Sequence, residues 1–315
     1  MFWRRKQNSS PFAPLLQLLL AALKNTTLSA KQDGDSVVVK HQNFTSRIDV
    51  VPPTNRESEI GAIRAVVRVK TELPEKFARI FAERPEMPAA MNRVATLGAL
   101  TIENGQIFVG SRLSIYEDAE NLLKLHVGLI VCAAIGAADS LLGAMRRTLA
   151  GEGGEDEESV WSADDMGEVS EYLSSHCLCT TGGPRLTAEF PLRDGAVSAA
   201  MGDHDTALWE LAADQPHPEM GGGLFCLLQM HHQVKDAKKL AQLTMQLNRL
   251  EWASEELTPH FGAWCHGRVG MNPAYASFLP NGLHSIKGIA TNVSLWAWYR
   301  ARWANAVLAS LGVPA

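Results

Sequence analysis

Thr96-Leu-Gly-Ala-Leu-Thr-Ile-Glu-Asn-Gly-Gln-Ile-Phe-Val-Gly-Ser-Arg-Leu-Ser114 reads as two strands, 96–102 and 106–114, folded back on Asn104-Gly105. Asn-Gly supplies the two positive φ angles of a type I′ turn, whose twist matches that of the strands it joins. An antiparallel hairpin therefore anchors the first half of the chain. Upstream of it, Ile63, Ala65, Val67 and Val69 alternate with Arg64, Arg68 and Lys70, the period of two expected of a strand with one solvated face. Shorter strands are predicted over 36–44 and 46–51, the second ending at Pro52-Pro53, with a helix over 14–27 before them and polar or helical residues over 74–92. Downstream, Asp118 can cap a helix over 119–147, along one side of which Leu122, Leu125, Leu129, Cys132 and Gly136 recur.

The second half repeats this order. A helix opens at Asp164 or Asp165 and runs through Tyr172, and Leu186, Ala188, Phe190 and Leu192 alternate as a strand. Leu224 to His232 is a further apolar strand, and Lys235 to Trp252 is a helix with Leu240, Leu243, Leu247 and Leu250 on one face. Strands over 261–269 and 275–279 and a closing helix over 286–311 follow. Gly151-Glu-Gly-Gly-Glu-Asp-Glu-Glu-Ser159, with no apolar residue to bury, separates the halves. The expected organisation is a first domain over 1–150, an acidic linker over 151–159 and a second, diverged domain over 160–315. An echo supports duplication: Met91-Asn92-Arg93-Val94 and Leu247-Asn248-Arg249-Leu250 each stand shortly before the last two strands and last helix of their half.

Composition sets the class. The 315 residues are 46% hydrophobic and 20% charged, the balance of a globular chain long enough for two cores. A net charge of −5 gives no general positive field, so neither nucleic acid nor an anionic membrane is expected as a partner. Five cysteines, odd in number and scattered, read as free thiols in a reducing cytoplasm. Met1 to Lys6 followed by Phe12 to Leu23 imitates a signal peptide, but Pro11, Pro14, Gln17 and Lys24 interrupt or close it, and a first packed helix fits as well. The apolar run Val127 to Ala138 is too short to span a bilayer and reads as a buried helix.

With the Asn-Arg positions and the stretch Leu97 to Tyr116 in view, the element order resembles YbjN-like domains, which are related to type III secretion chaperones. The resemblance implies an α+β fold in which a curved antiparallel sheet packs against helices, here in tandem. It implies pairing with a second copy, met here by an internal pseudo-dimer of the two domains, and a partner polypeptide lying along the surface. It carries no catalytic residues and no cofactor. The chain departs from the pattern at Asp194 to Gly223, read as an insert that lengthens a loop.

The candidate chemistry is incomplete at each place it arises. His176-Cys177-Leu178-Cys179 offers soft metal ligands, but structural zinc recruits a second pair at short spacing, and Cys265-His266 or His231-His232 would have to supply it from elsewhere in the fold. There is no Gly-x-Ser-x-Gly, and Gly221-Gly-Gly223 lacks the Gly-Lys-Ser/Thr ending of a phosphate loop, so a flexible turn is expected. Glu155 to Glu158 lacks the alternating oxygen ligands of a calcium loop, and Asp203-His204-Asp205 lies in the polar insert. The expectation is no catalytic, metal or cofactor site. Seven of the eight tryptophans follow the linker, and Trp296, Tyr299 and Trp303 fall on one helical face with Val293 and Val307, as a core face would. The leading functional expectation is a protein- or peptide-binding module centred on the second domain, with Trp264, Phe278 and Trp298 as partner-binding candidates. A metal-dependent enzyme using the His and Cys residues of the second half, and a purely structural oligomer subunit, are the alternatives.

Overall fold

The alternation at 63–70 becomes β4 (Ile63–Glu72), the strand around which the first sheet is built. The computed structural model describes residues 10–24, 26, 28–41, 44–58, 61–84, 86–94, 96–103, 106–117, 122–150, 157–192, 206–255, 258–267 and 271–313. The first half comprises α1 (Ala13–Lys24), β1 (Ser29–Asp33), β2 (Ser36–Lys40), β3 (Thr45–Val51), β4, α2 (Glu75–Glu83), α3 (Glu86–Met91), a 3-10 turn at Asn92–Val94, β5 (Ala99–Glu103), β6 (Gln106–Tyr116) and α4 (Leu123–Ala150). The second comprises α5 (Ala163–Leu173), β7 (Leu178–Gly182), β8 (Arg185–Pro191), β9 (Thr206–Ala212), β10 (Gly223–Gln229), α6 (Ala237–Ala253), β11 (Ala263–His266), β12 (Pro273–Pro280) and α7 (Ile289–Ser310). The fold is α+β, with two antiparallel six-stranded sheets ordered β1-β2-β3-β4-β6-β5 and β7-β8-β9-β10-β12-β11. Counted from each half's first strand, the order is the same. Each first hairpin also turns on a glycine with positive φ at the same place, Gly34 (62°) before β2 and Gly183 (58°) before β8.

Several expectations need correction. Residues 194–223 are not simply a lengthened loop: they contain β9, an interior strand whose Ala207, Trp209 and Leu211 are buried. β1 and β7 were not anticipated because both are edge strands, exposed along most of their length and without an apolar alternation. Helix α5 is capped by Ser162, not by Asp164 or Asp165; Asp165 instead closes a capping box by accepting from the Ser162 backbone N–H. Helix α7 buries Ala290, Ala297, Arg300, Ala301 and Ala304, while Tyr299 is exposed and Trp296 and Trp303 are half-buried. Small residues there let the helix lie close to the sheet and leave the large rings at its rims. Asn104-Gly105, Asp118, residues 151–156 and Asp203 to Asp205 lie outside the described residues.

The Asn-Arg echo has a shared structural role. Asn92 Oδ1 accepts from the Leu100 N–H at 2.7 Å, and its Nδ2 donates to the Leu100 carbonyl at 3.3 Å. Asn248 does the same for Trp264, at 2.8 and 2.9 Å. Leu100 lies in β5 and Trp264 in β11, the inner edge of each sheet. The amide of each asparagine thus replaces the neighbouring strand that an edge lacks. Both asparagines are fully buried.

These edges meet. Helix α6 packs on β5 and α3 packs on β11, so each half covers the other's inner edge. Ala99 and Ala263, which occupy equivalent places in β5 and β11 by their pairing with Gly110 and Ala276, form a small buried cluster together. Around them the backbone bonds are reciprocal: Arg112 and His260 exchange N–H to carbonyl bonds at 3.2 and 2.7 Å, and Phe278 donates to Thr96 at 3.2 Å. Carrying Arg112 and His260 into the other half by the same strand registers gives Phe278 and Thr96, as a local two-fold relation requires. The main hydrophobic cluster is continuous, running from Leu16 and Leu19 through Leu129 to Trp209, Trp264 and Leu308.

Candidate functional site

The outer edges, β1 and β7, differ from the inner ones and from each other. In β1, Lys31 and Asp33 place charges on the edge, Asp33 pairs with Arg47 at 3.0 Å, and Gln32 bonds to Gln17 of α1. Charges of this kind discourage another strand from pairing. In β7 the sequence is Leu-Cys-Thr-Thr-Gly, with neither charge nor proline. Strand β7 pairs with β8 on one side, with Gly182 opposite Arg185 across the two-residue turn Gly183-Pro184. In such a tight turn the closing pair is hydrogen-bonded and the pattern then alternates, so the N–H and C=O of Cys179 and Thr181 point away from β8. Among the described residues, no backbone group outside β8 bonds to β7.

An aromatic row leads from the interior to the start of this edge. Trp209 and Trp298 flank Phe190 in stacked geometry, at centroid distances of 6.1 and 5.9 Å. His176 lies 5.7 Å from Trp298, and Tyr172 lies 6.3 Å from His176. Trp209 is fixed by its indole N–H to Ser294, and Trp298 by its indole N–H to the Pro191 carbonyl at 3.0 Å. The row ends in Tyr172, which is 49% exposed. An open strand edge beside anchored rings can take an extended chain by main-chain pairing and hold its side chains on the rings.

The three partner-binding candidates separate here. Trp298 belongs to the aromatic row and is half-buried. Trp264 and Phe278 have 0% and 1% of their surface exposed, so neither ring reaches a surface: Trp264 is held by Asn248 and Glu251, and Phe278 packs on His217 at the junction between the halves. Their sequence setting, an apolar strand residue beside a turn, does not separate a surface anchor from a core one. Thr181 and Tyr172 went unrecognised, and the signal that could have found them is Gly182-Gly183-Pro184, a turn that implies a strand just before Arg185.

A buried charged cluster lies near the junction, not at the edge. Arg300 Nε donates to Glu251 Oε1 at 2.7 Å, the Trp264 indole donates to Glu251 Oε2 at 2.7 Å, and the Arg300 guanidinium sits 3.8 Å over the Tyr275 ring. Arg112 Nη2 donates to the Thr258 carbonyl at 2.8 Å. Burial opposes the Glu251 carboxylate, but Arg300 beside it leaves its pKa below the ordinary value. His260 is pushed down to about 4 by burial, with Arg300 and Arg112 adding to the effect against Glu251. The cavity beside this cluster, lined by Leu129, Phe261, Tyr275, Trp296 and Arg300 among others, has about 10 Å³ of space, close to the least that one water needs. The arrangement therefore locks the junction and offers no room for a substrate.

The remaining candidates stay apart. Cys177 and Cys179 have their sulfurs 3.6 Å apart, but among the described residues no group of three or more His, Cys, Asp or Glu side chains is placed to hold a metal ion. His232 and Cys265 are buried, and His231 and His266 half-buried. The Gly221 to Gly223 turn is tightly packed instead of flexible: the Glu158 backbone abuts Gly222 and the Phe278 ring abuts Gly223, leaving no space for a Cβ. Glu157 and the Glu158 carbonyl accept from Asn281 at 3.2 and 2.9 Å. The stretch Leu123–Ala144 of α4 is long and apolar enough to cross a membrane, and 61% of its most apolar window is buried inside the structure. No family model matches the chain, and no curated protein or solved structure matches it.

Proposed function

We propose that this protein is a non-catalytic polypeptide-binding module, a tandem of YbjN-like or type III secretion chaperone-like domains paired as an internal pseudo-dimer, and that it takes an extended partner segment along β7. The observation that carries this reading is the contrast between edges. The inner edges β5 and β11 are closed by Asn92, Asn248 and the facing helices, and β1 is blunted by charge, whereas β7 is uncharged and, among the described residues, has no backbone partner besides β8, beside Tyr172, His176 and Trp298. A peptide that adds to a sheet edge is held by main-chain hydrogen bonds and selected by pockets for its alternate side chains.

Thr181→Pro tests it. The substitution removes a backbone N–H directed away from β8 and places a ring on the open edge, so the sheet keeps its ladder while an incoming strand loses its partner. A partner segment found by affinity purification and mass spectrometry, then made as a peptide, should bind Thr181→Pro at least tenfold more weakly than the parent, with thermal unfolding unchanged within a few degrees. Trp298→Ala should weaken the same peptide. Unaltered peptide binding by a folded Thr181→Pro overturns the assignment. So does a concentration-dependent dimer of the parent that Thr181→Pro dissolves, because the edge would then serve self-pairing.

A further inference from the structure

We infer that Cys177 and Cys179 form a thiol–disulfide exchange site, which a small-molecule disulfide such as glutathione disulfide converts to an intramolecular Cys177–Cys179 bond. The geometry sets this pair apart from the other cysteines. Their sulfurs are 3.6 Å apart across a single intervening residue, leaving roughly 1.5 Å to close before a bond of about 2.05 Å forms. Cys226 and Cys265 are fully buried within β10 and β11, and Cys132 is half-buried on α4. The pair also lies where the backbone has room to adjust. It joins the end of α5 to the head of an edge strand, and Leu178 between the two thiols is 68% exposed.

The two thiols have unequal access, which orders the steps. Cys179 is half-buried on β7, whereas Cys177 is buried, with its thiol 3.5 Å from the Leu173 carbonyl. Cys179, as thiolate, attacks one sulfur of the external disulfide; a sulfur–sulfur bond forms at Cys179 and one small thiol leaves with the proton Cys179 gave up. Cys177, losing its own proton, then attacks the Cys179 sulfur and releases the second small thiol. Two protein thiols are oxidised and one external disulfide is reduced to two thiols. Burial, and then the charge and hydrogen bond of Cys179, push the Cys177 thiol up to about 12. Once Cys179 is in a mixed disulfide its charge is gone, leaving burial as the main restraint on Cys177. The site stands on this geometry whether or not a partner docks on β7.

The test uses the full chain. After incubation with glutathione disulfide, the protein is alkylated with iodoacetamide under native and then denaturing conditions and digested for mass spectrometry. The expected product is a peptide containing both Cys177 and Cys179, lighter by two hydrogens and unalkylated, with Cys226 and Cys265 alkylated only after unfolding. Cys177→Ser should trap a stable glutathione adduct on Cys179, and Cys179→Ser should leave Cys177 unmodified, each variant first shown to keep the parent's circular dichroism and thermal midpoint. The inference is overturned if the treated parent shows both thiols still alkylated at the untreated rate, or if Cys179 joins two chains in place of pairing with Cys177. Because the parent carries the decisive reading, a variant that fails to fold leaves the test intact.

Discussion

Replacing Asn248 by alanine should destabilise the protein by about 2–6 kcal/mol. The side chain makes two bonds to one residue, accepting from the Trp264 N–H at 2.8 Å and donating to its carbonyl at 2.9 Å, and Asn248 and Trp264 are both fully inaccessible to water. Truncation leaves a buried donor and a buried acceptor without partners, each costing about 1–3 kcal/mol. It also frees Trp264, whose indole completes the Glu251 cluster. Asn92→Ala removes the same pair of bonds from Leu100 and should fall in the same range. Asn281, whose amide reaches the exposed Glu157 and Glu158, is the control: Asn281→Ala should cost no more than about 1 kcal/mol. Urea unfolding followed by tryptophan fluorescence and far-UV circular dichroism gives the differences directly, provided the slopes match. A loss below about 1 kcal/mol for both Asn92→Ala and Asn248→Ala would refute the claim that these side chains seal the inner strand edges.

Two further outcomes are expected. Burial pushes His126 and His260 down to about 4 from an ordinary value of 6.5, so the folded state excludes protons that the unfolded chain accepts. Their contribution is complete above about pH 6.5 and is lost as pH falls toward about 4, roughly 3 kcal/mol for each histidine across that window. Urea midpoints measured from pH 7 to pH 4.5 should fall steadily, and His126→Gln should flatten the slope; a parent midpoint constant over that range would contradict it. Residues 1–150 expressed alone should dimerise or aggregate, because the fragment loses α6 and β11, which cover β5 and Phe108. A stable, soluble monomer by analytical ultracentrifugation would count against the pseudo-dimer.

The elements legible in the sequence were those whose two faces differ. β4 and β8 alternate, and α6 carries its leucines at helical spacing, so periodicity located them. β9 was missed because Asp194 to Asp205 and Gln215 to Gly223 surround it with turn-forming residues, and Thr-Ala-Leu-Trp-Glu-Leu-Ala is too short to stand out from them. The edge strands were missed for a related reason: a strand that buries little shows no alternation, yet that openness is what makes β7 the candidate site. The Asn-Arg echo was visible, but its purpose was not, since the eight residues from Asn92 to Leu100 become sixteen from Asn248 to Trp264. Pairwise spacing could not show that both reach the same place in the sheet.

The excess of tryptophan in the second half has more than one cause, and the structure separates them. Trp209 and Trp264 fill the interior, and Trp252 crosses the junction to meet Phe108 edge-on at 5.2 Å, where Gly110 leaves space that any side chain would take. Trp252 thus helps hold the two halves together and the other two pack the interior, so replacing any of them tests stability and says little about recognition. Trp298 is different. It lies in the middle of the ring row, with Phe190 and Trp209 behind it and His176 and Tyr172 in front. It is held on one side by Phe190 and on the other by His176, and its indole N–H donates to the Pro191 carbonyl, so the ring is fixed beside the head of β7. The second sheet thus has one edge, β11, covered by Asn248 and the facing helix α3, and another, β7, to which among the described residues no backbone group outside β8 bonds.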